Sequence, residues 1–227
     1  MLDRIHSSHL GVEKCQRRAR DILFWPSMND QIKELVSRCD ICLSFRNKQQ
    51  KEPLKSHAIP QRPWQKVATD LFEIDGVMYI CLVDYYSKFV EFTKVSDTKS
   101  ATVIEWLKEQ FARYGLPEEV ISDNGPQYSS DVFAEFARKY EFQHHTSSPE
   151  YPQSNGMAER AVQTLKRLLK KVGRAGRDPY LAILEWRNTP LQGMGSPSQM
   201  LMGRRTRSRL PATGKLLKSP NFNDNSN

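Results

Sequence analysis

The sequence predicts an α/β protein: a mixed sheet flanked by helices, with a small helical zinc-binding module ahead of it. Three observations carry this. From Trp64 to about Asn188, runs rich in β-formers give way to amphipathic stretches with helical spacing. Residues 1–46 hold a His-x-x-His pair and a Cys-x-x-Cys pair. Between the two regions lies NKQQKEPLKSHAIPQRP, residues 47–63, almost without apolar residues and broken by Pro53, Pro60 and Pro63, so it reads as an extended linker.

In the first module His6 and His9 lie one helical turn apart, so a helix would turn both imidazoles the same way. Cys39 and Cys42 have the spacing with which a tight turn grips one tetrahedral Zn²⁺. The stretch between the pairs has room for a helix and a turn, and Ile32 and Val36 mark an amphipathic helix leading into the cysteines. So short a segment has little core of its own, and a bound zinc would supply much of its folding energy. Cys15 and Cys81 have no partner at ligand spacing and read as small core residues.

The next elements follow in order. Residues 66–74, KVATDLFEI, predict a strand, Asp75-Gly76 a hairpin turn, and 77–84 and 89–95 two further strands. Residues 100–114 place Val103, Ile104, Leu107 and Phe111 on one helical face, and Gly115 stops that helix. A short strand, 119–122, delivers Asp123 at its C-terminal end. A second helix, about 129–140, is expected to bury Val132, Phe133, Phe136 and Ala137. A strand through Phe142 and a loop precede a long helix from about Gly156 to Lys171. After Thr189 the composition turns to Gly, Pro and Ser, and GRRTRSRLP reads as a basic, loosely structured tail. The expected divisions are therefore 1–46, 47–63, 64–172 and 173–227.

Charge is segregated along the chain. Residues 1–55 carry 11 Lys/Arg against 7 Asp/Glu, residues 56–155 carry 9 against 15, and residues 156–227 carry 14 against 4. An acidic centre between basic flanks suits a protein that gathers carboxylates at one site and holds a polyanion around it. No run approaches the roughly 18 apolar residues of a membrane span, and the first residues have no apolar core of a secretory signal.

Three acids stand where chemistry is expected. Asp70 interrupts an apolar strand, where a charge wants a compensating partner. Asp123 ends a buried strand, and Glu159 lies near the start of the long helix. Three carboxylates from three elements suit a pair of divalent cations for phosphoryl transfer, and hard oxygen ligands favour Mg²⁺ or Mn²⁺. On the long helix Glu159, Gln163, Lys166 and Lys170 form one polar stripe opposite Leu165, Leu168 and Leu169, a place to lay DNA. Ser154, Asn155 and Gly156 fill the loop ahead of it. His144 and His145 read as strand-end structure.

The words around these residues resemble the integrases of retroviruses and LTR retrotransposons, their gypsy-type branch in particular. Thirty-five residues separate Asp123 from Glu159, the D,D-35-E spacing of that family. The resemblance also rests on HLGVEK, WPSM, C-D-I-C, PWQKVATDLF, ISDNGPQY, YPQSNGMAER, RNTP and GSPSQMLMGRR, in the family's order along nearly the whole chain.

It implies a ribonuclease H-like core in which Asp70, Asp123 and Glu159 hold the catalytic metals, and a zinc module built on His6, His9, Cys39 and Cys42. It further implies DNA contacts by Asn155, Gln163, Lys166, Lys170, Arg204, Arg205 and Arg207, a multimer acting on two DNA ends, and action in the nucleus after cytoplasmic synthesis. Family members often carry Lys where Gln163 stands. The chain reads as the integrase portion of a longer polyprotein or as a host-adopted copy, which would keep the fold as a DNA-binding or interaction module. A nuclease of the same core fold unrelated to integration fits less well, because the zinc module and PQSNGMAER belong with integrases.

Overall fold

A computed structural model describes residues 1–45, 60–146 and 156–219, with side chains in 156–219 described from residue 160 onward. The chain opens with four short helices: α1 (Leu2–Ile5), α2 (Val12–Arg20), α3 (Met28–Ser37) and α4 (Asp40–Ser44). Helix α3 buries Met28, Ile32 and Val36, the spacing that leads into the cysteine pair. The histidines, in contrast, do not share a helix. His6 caps α1, and His9 sits beyond it in a left-handed turn (φ 50°) that no regular helix could contain.

The next strands are β1 (Lys66–Ile74), β2 (Val77–Asp84) and β3 (Val90–Lys94). Asp75 and Gly76, both at positive φ, close the hairpin between β1 and β2, as a two-residue turn requires. Helix α5 (Ser100–Tyr114), β4 (Glu119–Ser122), α6 (Asp131–Lys139) and β5 (Gln143–Thr146) complete the layer. The strand order is β3-β2-β1-β4-β5, with β1, β2 and β3 antiparallel and β1, β4 and β5 parallel. Helix α5 buries the expected face together with Trp106 and Gln110. Helix α6 buries Phe133, Phe136 and Ala137 against a ring cluster that includes Phe111 and Phe142. Val132 does not join them: it is 60% exposed, because one step along a helix turns a side chain by about 100° away from Phe133.

Helix α7 (Gly156–Arg174) buries Val162, Leu165, Leu168, Leu169 and Val172, and is followed by α8 (Pro179–Arg187), α9 (Pro197–Met202) and α10 (Gly214–Leu217). Asp178 caps α8 through Tyr180 and Leu181 N–H groups, and Ser196 with Gln199 forms a capping box on α9.

Two compact units result. One is Lys51–Lys166; the other joins Met1–Gln50 to Arg167–Asn227. In this second unit the basic segment after α9 is not loose. The Asn188 side chain donates to the Thr206 carbonyl (2.9 Å) and accepts from its N–H (3.0 Å), and Arg205 N–H donates to Leu216 O. Arg18 of α2 and Glu185 of α8, both almost fully buried, form an ion pair, and Arg205 pairs with Asp21. A side-chain amide that mimics a strand partner, plus one charge pair, holds a segment whose composition reads as a tail.

Candidate functional site

The sheet brings the first two acids together. Ala68 of β1 is registered against Ile121 of parallel β4. Asp70 lies two residues further along β1, on the face of Ala68 since side chains alternate, and Asp123 follows Ile121 by two residues, just past the end of β4. Adjacent strands run about 4.8 Å apart, so the end of β4 delivers Asp123 at the level of Asp70. Both residues are half-buried and reachable from solvent. On β2, Cys81 sits opposite Asp70, fully buried, and burial holds its thiol neutral, which fits the small core residue expected of it.

The turn carrying Asp123 is shaped by its own sequence. Gly125 N–H donates to the Asp123 carboxylate at 3.2 Å. A Cβ on Gly125 would fall 2.3 Å from the end of the Gln127 side chain, so a larger residue there would displace that amide. Tyr128 then drops into the core, 1% exposed, and its hydroxyl shares a 2.9 Å hydrogen bond with Thr69 of β1. That bond ties the Asp123 turn to the strand residue next to Asp70. Burial raises the Tyr128 phenol well above its usual range, with further contributions from Cys81, Asp70 and Asp123. The negative fields of both aspartates therefore converge on one group. No feature of the sequence separates Tyr128 from an ordinary core aromatic, because its partner is 59 residues away.

Glu159 lies in the first turn of α7. Farther along that helix Gln163 and Lys170 are exposed, while Lys166 is half-buried with its ammonium 5.3 Å from the centre of the Phe72 ring. Asn155 lies outside the described residues. His144 accepts or donates a 2.9 Å hydrogen bond with Ser122 and packs on Phe133. Burial, then His145, lowers its pKa, so it is a neutral structural imidazole at the end of β5.

In the other unit His6, His9, Cys39 and Cys42 converge, one donor atom from each lying within 4.8 Å of all the others. Cys39 Sγ is 3.3 Å from His9 Nδ1, Cys42 Sγ is 3.8 Å from the same nitrogen, and Cys42 Sγ is 3.6 Å from His6 Nε2. A tetrahedron with Zn–S near 2.3 Å and Zn–N near 2.0–2.1 Å has N···S edges of roughly 3.6 Å. The donor set thus fits Zn²⁺ in number, type and spacing. Burial, followed by His9, pushes the His6 imidazole down to about 4, which keeps its lone pair available at neutral pH. Burial pushes the Cys42 thiol up to about 11, while the Lys171 ammonium, 4.0 Å from the sulfur and 3.3 Å from the His9 carbonyl, acts in the opposite direction. Lys171 is a contributor that ligand spacing could not reveal. Cys15 is buried beside the cluster, its thiol directed at the Leu10 carbonyl and raised to about 12 by burial, so it is no competing ligand.

Of the expected basic contacts near the C-terminal end, Arg204 and Arg207 are exposed. Arg205 is not: it is 6% exposed, bonded to Gln199 and paired with Asp21, so its charge is spent inside the protein rather than offered to a phosphate.

A mixed five-stranded sheet flanked by helices in one unit and a His₂Cys₂ cluster in the other define the class: an integrase-core fold joined to a zinc-binding module. Residues 1–48 match the integrase zinc binding domain, and residues 60–152 match the integrase core domain. The chain belongs to the integrase family of retroviruses and LTR retrotransposons. It is 31% identical to an uncharacterized protein of Caenorhabditis elegans across 97% of this chain and 18% of that protein. It is likewise 31% identical to the transposon Tf2-3 polyprotein of Schizosaccharomyces pombe, across 72% of this chain and 13% of the polyprotein. The chain therefore spans less than a fifth of the curated relatives it matches. Among solved structures it shares the fold of a chain in the simian T-cell lymphotropic virus intasome complexed with the PP2A regulatory subunit B56 gamma (TM-score 0.58, 22% identity, 93% of this chain and 77% of that one). No helix among the described residues is long and apolar enough to cross a membrane.

Proposed function

We propose that this chain is a polynucleotidyl transferase that trims retroelement DNA ends and joins them to target DNA, with Asp70, Asp123 and Glu159 as the metal-holding acids. The observation that supports the reading is the register Ala68–Ile121 between parallel β1 and β4, with Asp70 two residues beyond Ala68 and Asp123 two residues beyond Ile121. Half-buried carboxylates side by side repel each other, and that repulsion is relieved when hard cations lie between them. Mg²⁺ or Mn²⁺ bound there would supply the charge that stabilises the attacking and leaving oxygens of phosphoryl transfer. The chain's own part is positional. The Tyr128–Thr69 bond and the Gly125 turn hold Asp123 at the level of Asp70, and the first turn of α7 carries the third acid.

Gln163, Lys166 and Lys170 on α7, with Arg204 and Arg207, supply the phosphate contacts in this reading, and Asn155 would join them from the loop ahead of the helix. His6, His9, Cys39 and Cys42 hold a structural Zn²⁺. Two DNA ends call for at least two protomers, and target DNA places the work in the nucleus. A strand-transfer assay with Mg²⁺ or Mn²⁺ and candidate terminal-repeat oligonucleotides tests the proposal. Asp70→Asn, Asp123→Asn and Glu159→Gln should each abolish joining, by about a thousandfold or more, with unchanged DNA binding and no loss of thermal stability. Full joining by Glu159→Gln would remove that residue from the site. DNA binding by wild type without any joining would instead assign the chain to a host-adopted binding role.

A further inference from the structure

The unit that holds the His₂Cys₂ cluster also contains a cavity of about 390 Å³ that none of the chemistry above uses. It is lined by α1, the turn after it, the α7–α8 turn, α8 and the segment after α9, all within Met1–Gln50 and Arg167–Asn227. Three arginines from separate parts of the sequence line it: Arg4, Arg177 and Arg209. All three are exposed, and among the described residues none of them forms a salt bridge, unlike the buried Arg18 and Arg205 of the same unit.

The acids lining the cavity are largely committed elsewhere. Glu185 is paired with Arg18 beneath the surface, and the Asp178 carboxylate accepts the two N–H groups that open α8. Asp178 keeps its charge, so it and Asp3 set two negative charges against the three arginines and leave a net positive rim. The wall also holds Ser8, which is 1% exposed and whose hydroxyl finds no hydrogen-bond partner among the described residues. A buried hydroxyl without a partner costs free energy, so one in the wall of a cavity points to a polar occupant. Three forked cations and a hydroxyl donor describe a phosphate: guanidinium groups match its oxygens in pairs, and a serine adds a neutral donor.

We propose that this cavity is a phosphate-binding site, and that its occupant is a phosphodiester of duplex DNA. The DNA part rests on the polynucleotide reading given above. The site would hold the DNA backbone at a point separate from the acid pair, contributing affinity and not chemistry.

The test measures duplex DNA binding by the full zinc-loaded chain across a salt series, for wild type and for Arg4→Gln/Arg177→Gln/Arg209→Gln, with zinc content and melting as checks of folding. Each lost phosphate contact should reduce the slope of log affinity against log salt by roughly 0.9, and the triple variant should bind about tenfold or more weakly at moderate salt. Ser8→Ala guards against a triple variant that fails to fold. It should raise the melting temperature of the DNA-free chain, by removing the unpaired hydroxyl, and still weaken DNA binding. A second arm adds inorganic phosphate at matched ionic strength. Thermal protection by phosphate in wild type and not in the triple variant, with DNA affinity and slope unchanged, would support the phosphate site and overturn DNA as its occupant. No change in slope and no phosphate protection would overturn the site altogether. Failure of the wild type to bind duplex DNA at any salt would count against the polynucleotide reading itself, a result distinct from either.

Discussion

The two units reach order by different means. In Lys51–Lys166 the core is mostly apolar and continuous: Val67, Ile80, Leu82, Val103, Leu107, Val120 and Phe133 are essentially inaccessible, and the strands between them are paired along their length. The one fully buried carboxylate among its described residues, Asp84, accepts hydrogen bonds from Trp64, Tyr86 and Ser87. In the other unit the helices are short, and burial extends to charged and metal-ligating groups, namely His6, His9, Arg18, Glu185 and Arg205. A five-stranded sheet satisfies its backbone and its apolar surface together, whereas a set of four- to ten-residue helices needs specific polar links to do so. The contrast teaches that the sheet unit tolerates local loss, while the helical unit depends on a few electrostatic and coordinate bonds.

Metal removal should separate them most sharply. Chelation, or Cys39→Ser or Cys42→Ser, is expected to abolish zinc binding and unfold the helical unit, since structural zinc contributes an apparent ~10–16 kcal/mol in small modules. The sheet unit should keep its protected amides in hydrogen exchange. A single cooperative loss of both units on chelation would break the comparison.

The buried Arg18–Glu185 pair comes next. Glu185→Gln should destabilise the helical unit by roughly 3–5 kcal/mol, because it leaves a buried guanidinium without its counter-charge. Arg18→Met with Glu185→Leu should recover most of that loss, read by denaturant titration of zinc-loaded protein. If the double replacement is as damaging as the single one, the pair contributes more than mutual neutralisation.

Acid should act on the same unit. Burial, then His9, holds folded His6 near 4 against an ordinary 6.5. The folded form therefore binds fewer protons than the unfolded one between those values, and stability present above pH ~6.5 is lost as pH falls toward ~4. Zinc release followed over that window should track the loss, since protons and metal compete for one lone pair. Retention of both zinc and structure at pH 4 would contradict this.

The smallest effect is expected in the sheet unit. Tyr128→Phe keeps the buried ring and removes only the bond to Thr69, a change of about 1 kcal/mol. Its signature is weaker Mg²⁺ or Mn²⁺ binding with a nearly unchanged melting temperature, because the Asp123 turn loses its tie to β1. Unaltered cation affinity would show that packing alone positions Asp123.

Much of the architecture was readable before any coordinates. Residues 66–74, 77–84, 100–114 and 119–122 form the strands and helix that their periodicity predicts, and Asp75-Gly76 closes the hairpin. These features are local: alternation, helical spacing and turn chemistry act over a few residues, so the sequence states them directly. The four zinc-type donors were equally legible as residue types at a spacing, although they are presented by a left-handed turn at His9 instead of one helix face. Tertiary structure alone decided the rest. Arg205 is buried on Asp21, Tyr128 meets Thr69, Lys171 approaches Cys42, and the segment after α9 folds against Asn188. Each depends on partners between 18 and 184 residues apart. A basic Gly/Pro-rich stretch looks like a tail from its composition, and only the fold shows that its arginine has an aspartate to pair with and its backbone an asparagine. Local propensity is written in neighbouring residues, but which charge is neutralised and which hydroxyl is satisfied depends on what the folded chain brings beside it.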